Sequence, residues 1–370
     1  MNILYTVFSF NFGGIEKLLV DILNEWKNEK DNVFLCIIND NYDEELIKKI
    51  SNKNVKILFL NRSEGGRKIH YIRKYIRIVK ENSIDIIHCQ CVNSSKFSAI
   101  CKLINKDIKI VHTVHATNIF SNLKKTDIIF ENLMLDKIIA ISKAVENEIL
   151  NSGINSNKVE LVYNGIDFSK FNTKNKCIKN KEKINIGCVA RIDPKAKGQD
   201  ILIRAIKEIS DTKSNIDCYF AGEVNKNEDY VLIKLKNLAN ELNVERNIHF
   251  LGKIDNISGF LDDIDIFVLP SRYEGFGLAL VEAIACKVPV IASNIDGPKE
   301  ILKNGELGEL FEKENYIDLA KKIIELINNE NLEKINKSYN EVKKRYSIGL
   351  TVDKLRDIYV DSRVKNEKKR

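Results

Sequence analysis

The chain has 370 residues, too many for one ordinary domain and suited to two. Hydrophobic residues make up 44% of it and charged residues 30%, a composition that excludes wholesale disorder. Lys and Arg number 59 against 52 Asp and Glu, a net charge of +7. That is milder than the concentrated excess of a sequence-reading nucleic-acid binder, and no nucleic-acid partner is expected. No window approaches 18 uninterrupted apolar residues, so no helix is expected to span a membrane. Residues 1–10 are apolar but lack a basic leader and a cleavage signature, and read as a first buried strand. The 8 cysteines sit mostly inside apolar runs. Without an export signal they are expected to be reduced thiols in the cytoplasm. His88-Cys89-Gln90-Cys91 has no second ligand pair nearby for a zinc site and reads as a buried strand end rich in small thiols.

Along the chain, short β-branched runs alternate with amphipathic segments. Strands are expected at 3–8, 33–38, 55–60, 84–88, 110–113 and 138–141, and helices at 15–28, 43–51, 67–81 and 143–151. Apolar strands alternating with helices make a parallel sheet covered on both faces. A polar, Lys- and Asn-rich stretch at 169–183 reads as an interdomain connection. The alternation then restarts, with strands at 184–189, 217–221, 248–251, 266–269 and 288–292 and helices at 200–210, 230–242 and 277–286. The expected fold is α/β, two Rossmann-like parallel-sheet domains facing across a cleft, with ligands at the carboxyl ends of the strands. Its parts are a first domain at 1–165, a second at 166–347, and a tail at 348–370 whose helix, at 354–364, is free to cross back to the first domain.

The most informative stretch is Pro270-Ser271-Arg272-Tyr273-Glu274-Gly275-Phe276-Gly277-Leu278-Ala279-Leu280-Val281-Glu282-Ala283. A strand runs into a loop with two glycines, and a helix starts near Gly277. This aims free backbone N–H groups and the positive helix end at one point, which suits a phosphate. Gly275 and Gly277 let backbone approach closely. A carboxylate beside phosphate would be repelled, so Glu274 and Glu282 should accept hydrogen bonds from hydroxyls. Phosphate, ribose and sugar in one pocket describe a nucleotide sugar. Arg191 and Lys197 follow the strand 184–189, where two cations would stabilise a departing diphosphate. Lys195 is a rival to Lys197.

Glu274 and Glu282, with 7 residues between them, resemble the E-x7-E motif of retaining glycosyltransferases of family 4, polysaccharide-biosynthesis type, which have the GT-B fold. The resemblance covers nearly the whole chain. Gly13-Gly14-Ile15-Glu16 resembles the family's N-terminal glycine loop, and His115, in Val111-His112-Thr113-Val114-His115-Ala116, its sugar-contacting histidine. Asn164-Gly165-Ile166-Asp167 resembles its hinge. Ala190-Arg191-Ile192 followed by Lys197-Gly198 resembles its diphosphate clamp, with Ala190 where the family often has Gly. Ala221-Gly222-Glu223 and Leu251-Gly252-Lys253 fall where further strand ends approach the nucleotide.

The resemblance implies transfer of a sugar from a nucleotide diphosphate donor, UDP-linked rather than GDP-linked, to a glycan or lipid-linked acceptor with retention at the anomeric carbon. The implied catalytic residues are His115, Arg191, Lys197 and Glu274. Gly14, Gly252, Ile254, Gly275, Phe276, Gly277, Leu278 and Glu282 are the implied donor-binding set. No cofactor and no metal is expected. Asp263-Ile264-Asp265 reads as D-x-D, the metal signature of the other major glycosyltransferase fold, but leads straight into a strand and is expected to be structural. His112 lies within its strand and is expected to be packed. Gly13-Gly14 is not a dinucleotide fingerprint, since G-x-G-x-x-G is absent. Rival readings are a nucleotide-sugar epimerase, a sugar phosphorylase (for which no cofactor lysine is found), and a non-catalytic nucleotide-sugar-binding protein. The helix 67–81 carries Arg67, Lys68, Arg73, Lys74, Arg77 and Lys80; its basic face is either solvated or rests on anionic lipid at the inner face of the cell membrane. A Lys-, Asn- and Ile-rich composition suits an AT-rich bacterial genome, and hence surface polysaccharide synthesis.

Overall fold

Runs such as Ile3-Leu4-Tyr5-Thr6-Val7 have apolar residues at odd and even positions alike, so they can be stable only where both faces of a strand are covered. The computed structural model describes residues 1–370 except 12, 64–68, 172–181, 211–214, 226, 330 and 368–370. The chain divides into two units, Met1–Ile166 with Ile348–Arg370, and Asp167–Ser347.

The first unit runs β1 (Asn2–Val7), α1 (Gly14–Glu25), β2 (Asn32–Asn39), α2 (Glu44–Lys48), β3 (Val55–Arg62), α3 (Ile69–Glu81), β4 (Ile86–Cys89), α4 (Val92–Ile104), β5 (Lys109–Val114), α5 (Lys125–Met134), β6 (Lys137–Ala140), α6 (Lys143–Asn151) and β7 (Val159–Leu161). Its strands pair in the order β3-β2-β1-β4-β5-β6-β7, all parallel. Register places Ile3 opposite both Val33 and Ile86, all buried. The sheet therefore has a buried centre at β1 and β4, where the strand order reverses.

The second unit runs β8 (Ile184–Val189), α7 (Pro194–Lys197), α8 (Gln199–Ser210), β9 (Ile216–Ala221), α9 (Asp229–Glu241), β10 (Ile248–Gly252), α10 (Ile257–Asp263), β11 (Ile266–Leu269), α11 (Leu278–Ala285), β12 (Val290–Ser293), α12 (Asp296–Ile301), β13 (Glu309–Phe311), α13 (Tyr316–Asn328) and α14 (Leu332–Arg345). Its order is β10-β9-β8-β11-β12-β13, again all parallel. Ile201, Leu202, Ala205, Ile206 and Ile209 of α8 are buried in one cluster with Ile186, Phe220, Leu319 and Ile323. Each fully buried Ile or Leu stabilises by about 1.5–3 kcal/mol. Asparagine, abundant in this chain, starts helices: Asn315 and Asn331 accept from the backbone N–H groups of Asp318 and Lys334 at 3.0 and 2.9 Å, worth about 1 kcal/mol each.

Chain order ends with α15 (Ile348–Glu367), longer than the 354–364 expected. It packs within the first unit. Tyr359, fully buried, stacks on Trp26 at 6.0 Å between ring centroids. Its hydroxyl meets His88 Nδ1 at 2.5 Å and Tyr5 Oη at 3.1 Å. Arg356 pairs with buried Asp31 at 2.9 Å, and Thr351 Oγ1 donates to the Tyr163 carbonyl at 2.9 Å.

Several expectations shift. The basic helix begins at Ile69 among the described residues; Arg67 and Lys68 lie outside them, as do residues 172–181 of the expected connection. The described cysteines are free thiols, and Cys91 is exposed at the start of α4, so only Cys89 of that pair is buried. Cys177 lies outside the described residues. No helix among the described residues is long and apolar enough to cross a membrane.

Candidate active site

In a parallel sheet the crevice for ligands opens where neighbouring strands send their connections to opposite sides. In the second unit that point lies between β8 and β11. The chain leaving β8 carries Arg191 and then forms α7, which has Pro194 at its start and Gly198 as a left-handed cap with φ 66°. Pro fits the first helical turn and Gly the left-handed end. Gly198 also has a steric reason: a Cβ there would sit 2.0 Å from the Pro270 carbonyl oxygen. The loop after β8 thus lies directly on the loop after β11.

Arg272 locks the two loops together. Its guanidinium donates to both carboxylate oxygens of Asp200 at 2.8 and 2.9 Å, to the Pro194 carbonyl at 2.6 Å and to Glu314 at 2.9 Å. The backbone N–H groups of Arg272 and Tyr273 both donate to the Ala196 carbonyl, at 2.8 and 3.2 Å. The result is that Lys197 Nζ lies 2.7 Å from Glu274 Oε2, both half-buried, with Ser271 Oγ 3.3 Å from the same oxygen. Lys195 is exposed. Arg191 is exposed too, its guanidinium 3.0 Å from Asp193. Buried Gln199 donates from Nε2 to the Arg191 carbonyl at 2.8 Å, tying that residue to the start of α8.

Gly275, Phe276 and Gly277 are buried, and Phe276 packs edge-on against Tyr346 at 5.2 Å. Gly277, with φ 111°, starts α11 and offers no capping side chain. The first-turn N–H groups and the positive helix end suit an anion there. Leu278 and Glu282 are half-buried on α11, one turn apart. Gly252 and Ile254 lie at the end of β10, two strands out from β8, and the Gly222 N–H donates to the Gly252 carbonyl at 2.8 Å. The Asp263-Ile264-Asp265 segment lies at the amino end of the same sheet. Buried Asp265 accepts there from the Asn185 N–H at 2.8 Å, and the Asp263 carbonyl accepts from Asn185 Nδ2.

His115 and Gly14 belong to the first unit. Gly14 is the exposed first residue of α1. Beside it, burial raises the Glu16 carboxyl above its ordinary range, and a hydrogen bond from its own backbone offsets part of that shift. His115 follows β5 directly. Its Nε2 lies 2.8 Å from Gln90 Oε1. His112, inside β5, is buried against Glu131 at 2.8 Å, and Ser95 Oγ donates to the other Glu131 oxygen at 2.5 Å. Gln90, Gln199 and Arg272 are the residues sequence reasoning did not single out. Arg272 sits inside the motif itself, but its partners lie in another part of the chain.

Two histidines whose rings are sheltered from solvent make acid stability predictable. Burial, reinforced by His115 and His112, holds His88 well below its ordinary range. Burial first, then His112, pushes His115 down to about 3. Unfolded, both titrate near pH 6.5. Below that pH the unfolded chain binds protons that the folded chain refuses, so stability falls as pH falls. Between pH 7 and 5, thermal unfolding should lose up to about 1.4 kcal/mol per pH unit for each histidine. His115→Gln should flatten the slope; an unchanged slope would contradict the assignment.

Comparison with known proteins places the chain in a family. The model for glycosyl transferases group 1 matches residues 169–345, and that for Glycosyltransferase Family 4 matches residues 12–170. A glycosyltransferase of Methanocaldococcus jannaschii is 31% identical over 360 residues, 94% of each chain. The capsular polysaccharide biosynthesis glycosyltransferase CapM of Staphylococcus aureus is 29% identical over 240 residues, 60% of each chain. The solved structure of Anabaena HepE in complex with UDP and glucose superposes with a TM-score of 0.84 at 20% identity, over 98% of this chain and 100% of that one. With its two parallel-sheet units and matches spanning both, this chain belongs to the glycosyltransferases and has the GT-B fold.

Proposed function

We propose that the enzyme moves a sugar from a UDP-linked donor to a glycan or lipid-linked acceptor, with retention at the anomeric carbon, in surface polysaccharide synthesis. The observation that carries this is the Lys197–Glu274 pair, 2.7 Å apart beside the start of α11 at the β8/β11 crevice. Lys197, Arg191 and the helix end are assigned to the diphosphate, Glu282 to the ribose and Glu274 to a sugar hydroxyl. Gly275, Phe276, Gly277 and Leu278 bring backbone to the phosphates, and Gly252 and Ile254 line the nucleotide. His115 is assigned to a sugar hydroxyl and Gly14 to a phosphate. The UDP bound to HepE and the capsular role of CapM favour this donor and this pathway.

In the step proposed, the bond from the anomeric carbon to the diphosphate oxygen breaks. The acceptor oxygen bonds to the same face, and its proton passes to the departing diphosphate. Lys197, shared with Glu274 before the donor arrives, then faces the charge that develops on the leaving oxygens. The test is to incubate the enzyme with UDP-glucose and other UDP-sugars and polyprenyl-diphosphate-linked saccharides, and to read the product anomer by NMR. An inverted product would overturn retention. Conversion of donor alone to an epimer would favour the epimerase reading instead.

The exposed Arg73, Arg77 and Lys80 of α3 are assigned to an anionic membrane surface at the inner face of the cell membrane. Lys74 is left out because its ammonium donates to the Phe59 and Leu60 carbonyls at 2.9 and 3.2 Å. Each basic residue near such a surface contributes about 1 kcal/mol. Changing all three to Ser should therefore cost on the order of a hundredfold in vesicle binding. Wild-type protein that ignores phosphatidylserine vesicles at low salt would end this assignment.

A further inference from the structure

We propose that Gln90 is a positioning residue: it holds His115 as the Nε2–H tautomer, so that the bare Nδ1 accepts a hydrogen bond from a substrate hydroxyl. The substrate half of this rests on the transferase reading above, but the tautomer does not.

Gln90 directly follows β4, and His115 directly follows the neighbouring β5, with Cys89 paired in register with His112. Both side chains therefore emerge at the carboxyl end of the sheet, next to the β1/β4 reversal where ligands of such sheets gather. The contact between them, 2.8 Å from His115 Nε2 to Gln90 Oε1, fixes a proton. An amide oxygen has only lone pairs to offer, so the shared proton must be on Nε2. A neutral imidazole has one N–H, which leaves Nδ1 as an acceptor. Burial keeps the ring neutral down to about pH 3, so a second N–H does not form at working pH.

The remaining nitrogen is conspicuous by comparison with its neighbours. His115 Nδ1 is buried with no hydrogen-bond partner among the described residues. His88 engages both nitrogens, one with Tyr359 and one with Thr113 at 2.6 Å, and His112 Nδ1 meets Glu131. A buried polar atom without a partner calls for an explanation, and at the carboxyl end of a parallel sheet a bound group supplies one. A lone pair is complemented by a donor, and a sugar hydroxyl is the donor this family of substrates carries. The side chain that makes His115 an acceptor, and not a donor, is Gln90.

The test reads the tautomer directly. In protein labelled with 15N-histidine, long-range proton–nitrogen correlations distinguish a protonated from a bare ring nitrogen, and His115→Asn identifies the His115 signal. Wild type should show His115 with Nε2 protonated and Nδ1 bare. Gln90→Met removes the acceptor and should abolish that preference; Gln90→Glu keeps an oxygen in place and should restore it. With UDP-sugar and acceptor, Gln90→Met should lower kcat about tenfold, the worth of one well-made hydrogen bond, with UDP affinity unchanged and Gln90→Glu restoring turnover. An Nδ1–H tautomer in wild type, or the same tautomer in Gln90→Met, would overturn the proposal. So would full turnover in Gln90→Met when His115→Ala has lost it. Because the spectrum is read without substrate, failure of the transferase reading would show separately, as a correct tautomer in a wild-type protein that transfers no sugar from any UDP-sugar, whereas turnover in His115→Ala equal to wild type would overturn the substrate half of the proposal.

Discussion

Lys197→Ala should lower turnover about a hundred- to a thousandfold, the usual cost of removing one preorganised group that faces charge developing in a transition state. The structure gives three reasons for the size of the effect. The ammonium is held 2.7 Å from Glu274 by two loops that Arg272 locks together. Its partner Glu274 lies against Gly277 at the start of α11, where helix N–H groups add positive potential. Removal of the ammonium also leaves the half-buried Glu274 carboxylate with Ser271 Oγ, at 3.3 Å, as its side-chain hydrogen-bond partner among the described residues. Uridine affinity should change little, because the cation acts on the diphosphate. The control is Lys195→Ala, whose side chain is exposed and should matter less than twofold. Steady-state kinetics with a UDP-sugar checks both; a larger loss in Lys195→Ala would assign the wrong lysine.

Tyr359→Ala should destabilise the first unit by about 3–5 kcal/mol, as truncation of large buried aromatic side chains does. Tyr359 is fully buried, stacked on Trp26, and tied through its hydroxyl to both Tyr5 and His88. Tyr359→Phe keeps the ring and loses the hydroxyl, leaving His88 Nδ1 without that partner, and should cost about 1–3 kcal/mol. The chain has 1 Trp, and it is the residue against which Tyr359 stacks, so urea unfolding followed by tryptophan fluorescence reports on this unit. Loss of less than about 1 kcal/mol in Tyr359→Ala would mean that α15 is dispensable to the first unit.

The fold was legible because its signals are local. β11 and β12 are mostly apolar runs buried at every position, and α8 repeats its apolar residues at helical spacing. Other elements hide their signal. α4 buries Ser94, Ser95, Ser98, Ala99 and Cys101, a face of small and hydroxylated residues that no apolar periodicity reveals. β7 and β13 are 3 residues each, too short to alternate visibly. In the site, residue types at a strand end were enough to nominate Lys197 and Glu274, but not to choose between Lys197 and Lys195. That choice depends on α7 turning between Pro194 and Gly198. Arg272 reaches Asp200 across 72 positions, and Gln90 reaches His115 across 25. Such contacts are set by strand order, which no local pattern encodes.

The claim that the second unit holds a nucleotide diphosphate, with Glu282 on the ribose, is tested most directly by calorimetric titration of UDP into the wild-type enzyme and into Glu282→Ala. A hydrogen bond to a charged group is worth roughly 1.5–3 kcal/mol, so the variant should bind UDP about ten- to a hundredfold more weakly with its fold intact by circular dichroism. Equal affinity in the two proteins, or no heat of UDP binding to the wild type, would contradict it.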